Sequence, residues 1–117
     1  MSENKSEATR ALKFSALSQL KYARASSMIL PHGEVLTPVF MPVGTKGTIK
    51  SLSSNQLYEP ALSPQIILGN TYHLALQPGT DLISEFGGLH EFMNWNNNLL
   101  TDSGKIVLLS NPITCVM

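Results

Sequence analysis

Three short apolar runs, each turning polar at its C-terminal end, constrain this chain more than any other feature. They are PVFMPV (38–43), QIILGNTYHL (65–74) and NLLTDSG (98–104). Runs that are apolar on both faces suit strands of a parallel sheet covered on both sides. Between the first two lies SLSSNQLYEPAL, read as a short helix with Ser53 as N-cap and Pro60 ending it. Between the second and third, Pro78-Gly79 makes a turn, a helix starts near Asp81, and Gly87-Gly88 stops it. Leu82, Ile83 and Phe86 keep helical spacing there. Strand, helix, strand, helix, strand predicts an α/β fold with a parallel sheet and right-handed crossovers. Polar residues collect at the C-terminal strand ends, where such folds build their sites.

Upstream, residues 1–12 read as a polar tail, and KFSALSQLKYAR (13–24) admits either a helix or a β-rich lead-in. Met28–Leu30, Pro31-His32-Gly33 and Glu34–Leu36 read as a hairpin. Pro38 and Pro42 are expected to mark the two ends of the first buried strand, and Leu99 and Leu100 are expected to be buried in the last.

Composition narrows the function classes. With 43% hydrophobic and 14% charged residues the chain is not of the disordered type. Eight basic residues offset eight acidic ones, so any nucleic-acid contact must use a local patch. The first 24 residues hold Lys5, Arg10, Lys13, Lys21 and Arg24 against Glu3 and Glu7, which fits a solvated face or a phosphate contact. Cys115 is the one cysteine, which excludes an internal disulfide or a Cys-rich zinc site and fits a reduced compartment. The N-terminus MSENKSEATR lacks a signal-peptide core, and no apolar run approaches the ~18–20 residues of a membrane span. A cytoplasmic location is the expectation.

Asp102 ends a buried run, a suitable place for a general acid or base, and Ser103 and Gly104 add a hydroxyl and an open backbone. Asp-Ser-Gly is equally ordinary turn chemistry. His73 fits a structural hydrogen-bonder or a ligand. His32 reads as a turn residue and His90 as closing a helix, and the three histidines have no metal-ligand spacing. GTKGT (44–48) is not a phosphate loop. Phe92, Met93 and Trp95 read as core rather than as a base-stacking platform, and Cys115 as an inert thiol.

Taken together, LPHGEVLTPVFMPVGTKGTIK, IILGNTYHL and GLHEFMNWNNNLLTDSG resemble the queuine tRNA-ribosyltransferases (tRNA-guanine transglycosylases), in the form of the eukaryotic catalytic subunit. The likeness runs from about Ala23 to Gly104. It divides the chain into an N-terminal tail and lead-in (1–22), a partial barrel (23–104) and a divergent tail (105–117), with a short β-hairpin lead-in preceding the barrel units. The resemblance implies about three βα units of a TIM-type (β/α)8 barrel, whose full form takes ~250 residues. It implies exchange of guanine for queuine at the tRNA wobble position through a covalent ribosyl-enzyme intermediate, with the target base lifted from its stack. Asp102 matches the family's base-binding proton acceptor, and Ser103 and Gly104 match the neighbouring base pocket. Asn70 and His73 fall where GNTYHL lines the site near the ribose, and Val43 and Leu68 match apolar lining positions. The implied partners are tRNA, queuine or guanine, and an accessory or full-length subunit. The implied location is the cytoplasm, with association at the mitochondrial surface.

After Gly104 the likeness stops: Lys105, Ile106 and Val107 stand where the family has Gly, an aromatic and Gln. The family's nucleophilic aspartate and zinc ligands have no match, so no cofactor is expected in this chain, and the 117 residues are expected to be inactive alone. A truncated product is one reading of this ending. A non-catalytic module binding the partner subunit or tRNA is a second. A third is a small autonomous α/β domain completed by KIVLLSNPITCVM (105–117).

Overall fold

A computed structural model of the chain describes residues 12–102. Ser103, Gly104, the tail 105–117 with Cys115, and residues 1–11 lie outside the described residues.

The lead-in resolves as β-structure. β1 (Lys13–Gln19), β2 (Arg24–Leu30) and β3 (Gly33–Thr37) form an antiparallel meander in the order β1-β2-β3. Leu30 pairs with Gly33 across the two-residue turn Pro31-His32, so the expected hairpin is present and longer than its sequence signal. Gly33 takes φ +129, a value that β-carbon sterics disfavour for other residues. Val35 and Ser26 are fully buried, whereas every residue of β1 is exposed.

Downstream, α1 (Ser54–Leu57) starts as the sequence predicts. The Ser53 hydroxyl accepts from the Gln56 amide, and the Gln56 side chain reaches back to the Ser53 amide at 2.8 Å. This reciprocal cap satisfies two otherwise orphaned helix-end donors. β4 (Ile66–Asn70) follows, then α2 (Thr71–Leu76), α3 (Thr80–Glu85), α4 (Leu89–Met93) and β5 (Asn98–Asp102). β4 and β5 pair in parallel, residue for residue from Ile66↔Asn98 to Asn70↔Asp102. Helices between two parallel strands are the crossover that the sequence pattern predicts.

The run PVFMPV corrects one expectation. It forms no strand: Phe40 is 82% exposed, and only Val43 pairs, in a single parallel bridge with Leu68. That bridge is closed by Leu68 N–H to the Pro42 carbonyl at 2.9 Å and Gly44 N–H to the Leu68 carbonyl at 2.8 Å. The next rung toward the N-terminus would be donated by the amide of residue 42, and proline has none. Two paired strands and this bridge stand where three strands are expected.

The core lies on one side of β4 and β5. Leu57, Ile67, Met93 and Trp95 form it, with Ile49, Leu52, Leu89, Phe92 and Leu99 packed against them. Trp95 is fully buried and donates its indole N–H to the Asn98 carbonyl at 3.2 Å, with the Tyr58 ring tilted beside it. Gly47 touches this core so closely that a β-carbon there would sit 2.9 Å from the Phe92 ring.

The meander docks at the N-terminal ends of the parallel strands. Asn98, 4% exposed, donates through Nδ2 to the carbonyls of Gly33 at 3.2 Å and Gln65 at 3.3 Å. Gln65 Oε1 accepts from the Leu36 amide at 2.9 Å. His32 in the turn stacks on His90 of α4 with centroids 3.9 Å apart, so His90 lies inside a short helix rather than closing one. Among the described residues no helix is long and apolar enough to cross a membrane.

Candidate functional site

Side chains alternate along a strand, so the residues next to Ile67 and Leu99 face away from the core. On β4 these are Leu68 and Asn70, and on β5 they are Leu100 and Asp102. In-register parallel pairing sets them side by side: Leu68 beside Leu100, and Asn70 beside Asp102. The bridge to Leu68 adds Val43 to the same level. The outcome is an apolar row, Val43-Leu68-Leu100, with a polar pair, Asn70 and Asp102, one step nearer the C-terminal end.

This face is closed at one end and open at the other. Ile66 and Asn98 at its foot are buried beneath the docked meander, Leu68 and Asn70 are half-buried, and Leu100 and Asp102 are exposed. The expected burial of Leu100 is thus corrected: it is 45% exposed, because only its neighbour Leu99 faces the core. Leu100 is also the lining residue that the sequence reading missed. Its signal is parity, two residues before Asp102 on the same strand.

Asn70 is held by a local rule. It is the N-cap of α2, and its Oδ1 accepts from the His73 amide at 3.1 Å. An Asn at a strand-to-helix boundary serves this role by satisfying a free amide of the first turn. With Oδ1 committed, the amide NH2 is the group it can present to a ligand. His73 itself is exposed, with its ring set edge-on against Tyr72 at 5.4 Å. The structure therefore brings Val43, Leu68, Asn70 and Asp102 together, and ties His73 to them through its backbone. The loop after Val43 is pinned by Lys46, whose Nζ donates to Gln77 Oε1 at 2.8 Å just past α2.

Among the described residues no three His, Cys, Asp or Glu side chains form a group that could hold a metal ion. His32 and His90 are close, but each has a ring nitrogen against a backbone carbonyl, of Asn96 at 3.0 Å and Asn97 at 3.1 Å. Burial, and then the neighbouring His32, hold His90 below the ordinary histidine range, while the Asn97 carbonyl and Glu91 oppose the shift.

A family model described as queuine tRNA-ribosyltransferase matches residues 19–114. The chain is 52% identical over 99 residues to a queuine tRNA-ribosyltransferase of Janthinobacterium sp. (strain Marseille), covering 85% of this chain and 26% of that protein. It is 58% identical over 88 residues to the Desulfosudis oleivorans protein of the same name, covering 75% and 22%. For the Staphylococcus haemolyticus protein of that name the figures are 54% over 91 residues, 76% and 24%. The three are bacterial, so the likeness is not confined to the eukaryotic form. The chain spans about a quarter of the length of these curated relatives. Both the family match and the shared identity cover most of the 117 residues, and the chain belongs to the queuine tRNA-ribosyltransferase family.

Proposed function

We propose that this chain carries the base-recognition and proton-accepting part of a site that exchanges guanine for queuine in tRNA. The observation behind the reading is the register of Asn70 and Asp102 at the open end of two parallel strands, above an apolar row. Guanine presents N1–H and an exocyclic NH2 on one edge, two adjacent donors that suit the two oxygens of a carboxylate. Val43, Leu68 and Leu100 offer flat apolar surface for the ring, and the Asn70 NH2 reaches a carbonyl or ribose oxygen. Ser103 and Gly104, by resemblance, extend the pocket, and His73 orients Asn70.

Exchange breaks the C1′–N9 bond of the target nucleoside and makes the same bond to the incoming base. The departing guanine gains a proton, and the incoming base loses one. Asp102 is the group assigned to hold that proton. The covalent ribosyl intermediate of the resemblance needs a second carboxylate at C1′, and Asp102 is the only acidic residue on β4 and β5. The 117-residue polypeptide by itself is therefore expected to exchange no base. Incubation of the pure chain with tRNA and radiolabelled guanine tests this: unlabelled tRNA is the expected result, and label in the tRNA overturns the inactivity. Partnership with a second subunit, a cytoplasmic location and association with the mitochondrial surface belong to this proposal as extensions carried by the family.

A further inference from the structure

The turn between β1 and β2 lies outside the base site and carries chemistry of its own. The Leu20 amide donates to the Ala23 carbonyl at 2.8 Å, which closes the turn and leaves Lys21 and Tyr22 at its tip. Beside the tip opens a concavity of about 420 Å3, bounded by Gln19, Lys21, Tyr22, Arg24, Thr37 and Pro38, with no acidic residue in its wall. Lys21 Nζ sits 4.9 Å from the Tyr22 ring centroid, and the Arg24 guanidinium 5.1 Å from that of Phe14. Among the described residues neither cation is paired with a carboxylate. Across residues 12–40 the one acidic side chain is Glu34, which already accepts the Ser27 hydroxyl. Tyr22 is 88% exposed, which leaves its ring accessible to a stacking partner.

We propose that this turn is a second tRNA-contacting surface, in which Lys21 and Arg24 hold a backbone phosphate and Tyr22 stacks on an unpaired base. The surface extends the reading of tRNA as substrate and rests on it. Cations that track phosphates, combined with an exposed ring for stacking, are the elements of single-stranded nucleic-acid binding. Position favours RNA over an acidic peptide. Thr37 and Pro38 form the wall of the concavity, and the chain reaches Val43 of the base site five residues later. Five residues span at most roughly 17 Å, which bounds the distance from the concavity wall to Val43.

The test is fluorescence anisotropy of a labelled anticodon stem-loop RNA with the full 117-residue chain in low salt. The double variant Lys21→Gln/Arg24→Gln is expected to bind roughly tenfold more weakly, with a salt dependence shallower by about 0.7 in log–log slope, the share of one phosphate. Tyr22→Ala is expected to lose about fivefold or more. Lys21→Arg retains binding, and Lys50→Gln, an exposed cation elsewhere, binds as wild type. Circular dichroism confirms that each variant is folded. A double variant that binds as tightly as wild type, or wild type that binds no RNA, overturns the proposal. So does equal binding of a blunt duplex, which removes stacking, or equal competition by polyglutamate, which makes the surface a protein dock. Queuine binding at Asp102 is read separately in the same variants, so failure at the turn leaves the base-site reading standing.

Discussion

Asn70 performs two tasks with one amide, and substitutions separate them. Its Oδ1 caps α2, and its register places it beside Asp102. Asn70→Ala is expected to cost about 1 kcal/mol through loss of the cap. Asn70→Asp keeps a good cap, so thermal stability stays near wild type. It also sets a second carboxylate beside Asp102, and like charges on adjacent strands repel. Queuine binding in equilibrium dialysis should therefore fall in Asn70→Asp with no matching fall in melting temperature. Parallel losses in both would mean that Asn70 is only a cap. Much of this was legible at the residue level: Asp102 at a strand end, Ser53 as a cap, and Met93 and Trp95 as core. The pairing of Asn70 with Asp102 was not, because register between strands 32 residues apart depends on the crossover between them and not on either run.

At the scale of elements, local signals failed where they were shortest. The six-residue α2 went unread, and the five-residue α4 showed only in His90 read as a helix end, because neither is long enough to show a helical period. Their punctuation was present in the Asn70 cap, in Gly88 at φ +120 and in Asn94 in the left-handed region. PVFMPV failed differently: its apolar content asked for a strand, and Pro42 removed the amide that would extend the ladder. The docking of the meander on α4 had no sequence signal, since it rests on the His32–His90 stack and on Asn98. That stack makes stability depend on pH. His90 is held below 6.5 in the fold, chiefly by burial and then by His32, with Glu91 and the Asn97 carbonyl opposing. An unfolded chain takes up this proton near 6.5, and the folded one only at lower pH. Stability from His90 is thus complete above that value and is lost as pH falls from 6.5 through the lowered folded value. Melting temperatures should decline as pH falls from 6.5 to about 5, before most carboxylates titrate. His90→Gln should flatten that decline, and an unchanged slope would assign it to other groups.

The whole molecule has one dry side and one open side. The dry side is built around Trp95, and the meander shuts the foot of the open side. Along the open side Val43 and Leu100 remain about half exposed. Small ligands gain affinity from near-complete enclosure, so one wall of a base pocket binds weakly, in a range that needs a site-resolved method. Amide proton–nitrogen correlation spectra of the 117-residue chain, titrated with queuine alongside Asp102→Asn, test the base-site assignment most directly. Shifts concentrated at Val43, Leu68, Asn70 and Asp102 in wild type, and absent in Asp102→Asn, are the expected result. Shifts spread over residues 13–37, or unchanged in Asp102→Asn, would contradict it.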